Sequence, residues 1–109
     1  MTSNLEQLHI RVDEGGDANV LLLEGELDPH TAPLLEREIE QRAEAGQVDV
    51  VLDLQGLQFI DSSGLRVLIA AHRDLERRGG SLVLRSPSET AQRLLEITGL
   101  VDHITIVGG

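Results

Sequence analysis

The chain predicts an α/β fold of order β-β-α-β-α-β-α-β, and three observations carry that prediction. Apolar runs of strand length alternate with stretches whose apolar residues recur at helical spacing. Glycines and capping residues fall at the junctions between them. At 109 residues the chain has the length of one domain, residues 1–109, large enough to bury a core. Strands that alternate with helices from the second strand onward imply right-handed crossovers and a mainly parallel sheet packed by helices. The first strand is then an antiparallel edge.

Leu8 to Asp13 alternates loosely and ends in the turn-like run Asp13-Glu14-Gly15-Gly16-Asp17, after which Asn19 to Leu23 is a compact apolar run. This is the pattern of two strands joined by a hairpin turn. Gly25-Glu26-Leu27-Asp28-Pro29 opens the first helix, with Asp28 read as N-cap and Pro29 as first helical residue, where its missing N–H costs nothing. The helix continues to about Ala45 and stops at Gly46. Its buried stripe is Ala32, Leu35, Ile39 and Ala43, while Glu36, Glu38, Glu40 and Arg42 face water and Glu38 supports Arg42 four residues on. Val48 to Leu54 is the most strongly apolar strand, suited to a central place under helices.

A second helix begins at Ser62-Ser63, with the stripe Leu65, Leu68, Ile69, His72 and Leu75. Arg77-Arg78 suit its negative end and Gly79-Gly80 terminate it. Ser81 to Arg85 is a further strand. Ser88 caps a third helix with the stripe Ala91, Leu94, Leu95 and Thr98; Gly99 closes it, Leu100 packs back, and His103 to Val107 is the last strand.

Composition excludes several kinds of function. Nine basic residues, all arginine, stand against nineteen acids for a formal charge of −10. With no basic patch for phosphates and Phe59 as the only aromatic residue, direct nucleic-acid binding is not expected. An acidic surface favours encounter with a basic partner protein. The absence of cysteine removes disulfides and thiolate chemistry and suits a reducing cytoplasm. The longest purely apolar run, Val67 to Ala71, is far short of the ~20 residues of a membrane span, so no membrane insertion is expected. The N-terminal MTSNLEQLHI has no secretory signal pattern.

Function is expected at the junction Asp61-Ser62-Ser63-Gly64. One polar residue suffices to cap a helix, so three polar residues and a glycine after a buried strand leave a surplus. Unpaired N–H groups and the positive dipole end make such a position ready to hold a phosphate. A second polar junction, Glu26 to His30, lies at the end of the second strand. The carboxyl ends of neighbouring parallel strands lie side by side, which puts Asp28 and Ser62 on one surface. Asp28 also reads as a simple N-cap. A hydrolase is not expected: the glycine two residues before a nucleophilic serine is missing, and none of His9, His30, His72 and His103 stands as an obvious base. His72 falls on an apolar stripe and reads as a buried neutral histidine. No two histidines have helical ligand spacing, so no metal is expected; no cofactor and no catalytic residue is expected either.

Gly25-Glu26-Leu27-Asp28, the strand VVLDL, Phe59-Ile60-Asp61-Ser62-Ser63-Gly64-Leu65 and Thr98-Gly99-Leu100 together resemble the STAS family, and within it the stand-alone bacterial anti-sigma factor antagonists. The resemblance runs from about Leu8 to Val107. It implies a STAS-like fold and a partner switch that is not itself an enzyme. The unphosphorylated antagonist binds an anti-sigma factor that is also a serine kinase, and so frees a sigma factor. Phosphorylation by that kinase ends the interaction, a serine phosphatase resets it, and ATP belongs to the kinase. The residue after the Asp is the one phosphorylated, here Ser62, with Ser63 the lesser candidate. Asp28, Asp61, Ser62, Ser63 and Gly64 are carried over as partner-binding or positioning residues. Many members have a further helix after the last strand, whereas this sequence ends at Val107-Gly108-Gly109. STAS domains also brace membrane-transporter ATPases, an alternative in which serine phosphorylation is irrelevant. A stressosome-like role fits less well, since no second domain is fused.

Overall fold

A computed structural model describes residues 7–13 and 19–108. The elements are β1 (Leu8–Val12), β2 (Asn19–Leu27), α1 (Ala32–Glu44), β3 (Asp49–Ile60), α2 (Ser62–Arg77), β4 (Ser81–Arg85), α3 (Glu89–Thr98), a single 3-10 turn over Leu100–Asp102, and β5 (Thr105–Val107). The order is the predicted one. The five strands lie in the order β1-β2-β3-β4-β5, with β1 antiparallel to β2 and the other pairs parallel. Most of the predicted 13–17 turn lies outside the described residues, but its closing bond is present: Asp13 N–H donates to the Val20 carbonyl at 3.0 Å.

Register explains the core. Leu21, Leu52, Leu84 and Ile106 are neighbours across four strands, and the three leucines are wholly buried. Leu35, Ile39 and Ala43 of α1 and Leu65, Leu68, Ala71 and Leu75 of α2 complete the same cluster. A side-chain period of two turns the alternate row to the opposite face. There Asp53 and Arg85 are register partners, and Arg85 Nε donates to Asp53 Oδ2 at 2.8 Å. Pairing is what allows a carboxylate to stand only 8% exposed.

The structure corrects several boundaries. β2 continues four residues past Leu23, and β3 runs to Ile60 where the apolar pattern stops at Leu54. The added lengths pair with each other, Glu24 with Gly56, Gly25 with Leu57, Glu26 with Phe59 and Leu27 with Ile60. The N-cap of α1 is Thr31, not Asp28; Asp28 closes a turn ahead of the helix, and the proline in the first helical turn is Pro33 in place of Pro29. Arg42 is largely buried rather than in water: it pairs with Glu38 at 3.0 Å and also reaches Asn19 Oδ1 and Gln47. On α2, Ile69 and His72 are only half-buried, and Gly64, Val67 and Ala71 take the buried places beside the leucines. Thr98 is exposed, its hydroxyl turned back to the Leu94 and Leu95 carbonyls. His103 and Ile104 do not join the last strand, because the 3-10 turn after Gly99 delays it.

Candidate functional site

The site stands where β2 and β3 end together. Leu27 and Ile60 are the last register pair, and the Asp61 N–H donates to the Leu27 carbonyl at 3.2 Å, so each strand leads into its polar junction from the same seam. Only one residue separates β3 from α2. Asp61 is extended, the usual N-cap backbone, and its Oδ1 accepts from Ser63 N–H at 2.9 Å and Gly64 N–H at 3.2 Å. Its carbonyl takes the Leu65 N–H at 3.0 Å. Asp61 therefore does all the side-chain capping of α2.

That division of labour frees the serines. Neither Ser62 Oγ nor Ser63 Oγ has a hydrogen-bond partner among the described residues, and Ser62 is exposed while Ser63 is half-buried. Gly64 has a packing reason to be present. A Cβ there would stand 2.7 Å from Leu27 Cγ and 2.8 Å from Ile60 Cγ1, inside van der Waals limits against buried side chains. The glycine thus lets the first turn of α2 descend onto the strand ends and fixes how far Ser62 rises from them.

At the second junction Asp28 Oδ1 accepts from His30 N–H at 2.9 Å and Thr31 N–H at 3.0 Å. The Thr31 N–H chiefly, helped by the His30 N–H and the Thr31 hydroxyl and opposed by desolvation, holds the Asp28 carboxyl below the ordinary aspartate value of 3.8. Between the helices that follow the two junctions runs a groove of about 370 Å³, lined by Pro29, Ala32 and Pro33 on one side and Ser63, Val67 and Ala70 on the other, with Glu36 and Arg66 at its rim. Both junctions leave the same end of the sheet, and the groove beside them is lined by their sequence neighbours Pro29 and Ser63 and not by Asp28 or Ser62 themselves.

Among the described residues no group of three or more histidine, aspartate or glutamate side chains is arranged to hold a metal, and no described helix is long and apolar enough to cross a membrane. His72 is not wholly buried; its Nε2 lies 3.6 Å from Glu76 Oε1, and its buried Nδ1 has no partner among the described residues. Residue patterns alone missed Thr31. The signal was in the chain as Asp28-x-x-Thr31 followed by Ala-Pro, since a threonine two residues before a proline reads as an N-cap with that proline inside the first turn.

Comparison with known proteins agrees with this architecture throughout. The chain is 36% identical over 101 residues to an anti-sigma-B factor antagonist of Bacillus subtilis (strain 168), an alignment spanning 91% of this chain and 92% of that protein. An anti-sigma F factor antagonist of Paenibacillus polymyxa is 31% identical over 94 residues, spanning 85% of this chain and 80% of the relative. The crystal structure of an anti-sigma factor antagonist from Mycobacterium paratuberculosis superposes with a TM-score of 0.82 at 26% identity, covering 96% of this chain and 89% of that one. The STAS domain model matches residues 9–108, a span that takes in the mixed sheet, the three helices and both polar junctions, and the chain belongs to the STAS domain family.

Proposed function

We propose that this protein is an anti-sigma factor antagonist that works as a phosphorylation-controlled switch in the cytoplasm. Unphosphorylated, it binds an anti-sigma factor that is also a serine kinase, and the sigma factor is released. Phosphorylation of Ser62 ends that binding, and a serine phosphatase restores it. The protein itself performs no catalysis and needs no cofactor. Relatives bearing the antagonist name along nearly their whole length support the first part of this reading.

The single observation that carries the switch is the free hydroxyl. Asp61 alone supplies the side-chain cap, so Ser62 Oγ is exposed, has no hydrogen-bond partner among the described residues and is not needed for the cap. A kinase can reach such a group without unfolding anything. The phosphate adds about −1.5 to −2 charge beside Asp61, at a helix start that favours an anion, so the fold survives the modification. The partner meets the change directly. A hundredfold loss of affinity needs only about 2.7 kcal/mol, within reach of like-charge juxtaposition or a trapped, desolvated phosphate.

The experiment is affinity purification of the protein from its own cells, with mass spectrometry of what accompanies it and of the tryptic peptide Ala43–Arg66. A small serine kinase in the bound fraction and phosphate on Ser62 in the unbound fraction are the expected results. A transporter ATPase in stoichiometric amount with unmodified Ser62 and Ser63 would overturn the reading.

A further inference from the structure

We propose that Thr31 is the positioning residue of the partner-binding face: its buried hydroxyl, instead of capping α1, ties the Asp28 turn to the end of β2. A threonine at an N-cap normally lies in extended backbone and turns its oxygen to the N–H groups of the first helical turn. Thr31 has φ −98° and ψ −19° and makes no such bond. The first turn forgoes its cap, and the hydroxyl is used backwards along the chain. It donates to the Glu26 carbonyl at 2.8 Å and accepts from the Asp28 N–H at 3.0 Å, in a side chain only 1% exposed. Thr31 Oγ1 also lies 3.2 Å from Asp28 Oδ1, the more distant and weaker of the two acceptors open to its proton.

The anchor point is significant. Glu26 is the register partner of Phe59, one step before the Leu27–Ile60 pair from which Asp61 is suspended. One buried hydroxyl therefore references the Asp28 turn to the same strand seam that sets the height of Ser62. With Asp28 Oδ1 occupied by two N–H groups, Oδ2 has no partner among the described residues. That oxygen is the atom left for a donor on another protein. Thr31 does not touch the partner; it decides where Asp28 does. This role rests on the antagonist reading above, but its structural half can be tested without any partner.

The test compares Thr31→Val, which keeps the shape and loses the hydroxyl, with Thr31→Ser, which keeps the hydroxyl. In Thr31→Val the Asp28 amide should exchange hydrogen about tenfold faster, equivalent to about 1.4 kcal/mol, and the Asp28 carboxyl should titrate closer to its ordinary value. Thr31→Ser should restore both. Amide protection in α2 should not change in either variant. Affinity for the purified anti-sigma factor should fall about tenfold in Thr31→Val and return in Thr31→Ser. In the unaltered protein the Thr31 hydroxyl proton should give a slowly exchanging NMR signal close to the Asp28 amide, which keeps the test valid if Thr31→Val does not fold. A missing hydroxyl signal, an unchanged Asp28 in Thr31→Val, or a Thr31→Ser protein as impaired as Thr31→Val would overturn the proposal. Normal affinity in a Thr31→Val protein whose Asp28 turn has loosened would overturn its functional half. Failure to recover any anti-sigma factor would instead count against the antagonist reading and leave the NMR result standing.

Discussion

At the scale of single residues, the junction separates structural from functional polar groups. Asp61 holds two backbone N–H groups and Ser62 holds none, although the two are adjacent and both types are good helix caps. Asp61→Ala should therefore lose about 1–2 kcal/mol of stability, while Ser62→Ala should stay within about 0.5 kcal/mol of the unaltered protein, both measured by denaturant titration. Residue types in a row could not make that assignment, because Asp, Ser and Ser have the same propensities at such a position; which oxygen faces which N–H is a matter of geometry. Asp28 is a similar case. Its carboxyl is held below 3.8 by the Thr31 and His30 N–H groups, so the folded state takes up a proton less readily than the unfolded chain. The resulting stabilisation is complete above the unfolded value and is lost as pH falls through the folded one. A carbon-13 titration of the Asp28 carboxyl should place its midpoint below 3.8, and a midpoint at or above that value would mean the turn is not closed in solution.

Among elements, helices were more legible than strand ends. The α1 stripe of Ala32, Leu35, Ile39 and Ala43 is the observed buried face, and Ser88 and Gly99 bound α3 as read. A helix declares its buried side through a repeating spacing and, at α3 though not at the start of α1, its ends through distinctive caps. The apolar pattern stops short of the ends of β2 and β3 because their last residues include Glu24, Glu26, Gln55 and Gln58, which interrupt it. An apolar pattern reports burial, whereas a strand is defined by its hydrogen-bond ladder, and here the ladder outruns the fully covered core. That overrun has a consequence for the site, since it carries both polar junctions to the rim of the sheet. Gly64 shows how closely the elements there are fitted. Gly64→Ala gains about 1 kcal/mol of helix propensity but drives a methyl against Leu27 and Ile60, an overpacking cost of about 1–3 kcal/mol. The net result should be a loss of stability in denaturant titration with shifted Ser62 and Ser63 amide signals. A gain in stability with unmoved signals would show that the close approach is not needed.

Across the whole molecule, fold class, element order and the antiparallel edge all followed from alternation of strand-length and helix-period segments. The placing of the two polar junctions at neighbouring strand ends followed too, because parallel strands end side by side. The groove between α1 and α2 did not, since it depends on the small residues Ala32 and Ala70 and on prolines meeting across two helices that are distant in sequence. Net charge acts at this scale as well. A surface of −10 should speed encounter with a basic anti-sigma factor, so the association rate in stopped-flow mixing should fall as salt rises from about 50 to 500 mM while the dissociation rate changes little. The central claim, that one exposed hydroxyl governs partner binding without altering the fold, is tested most directly by calorimetry of the purified anti-sigma factor against the protein with Ser62 either unmodified or fully phosphorylated. The account predicts at least about a hundredfold weaker binding of the phosphorylated form with an unchanged circular dichroism spectrum. Equal affinity of the two forms would contradict it.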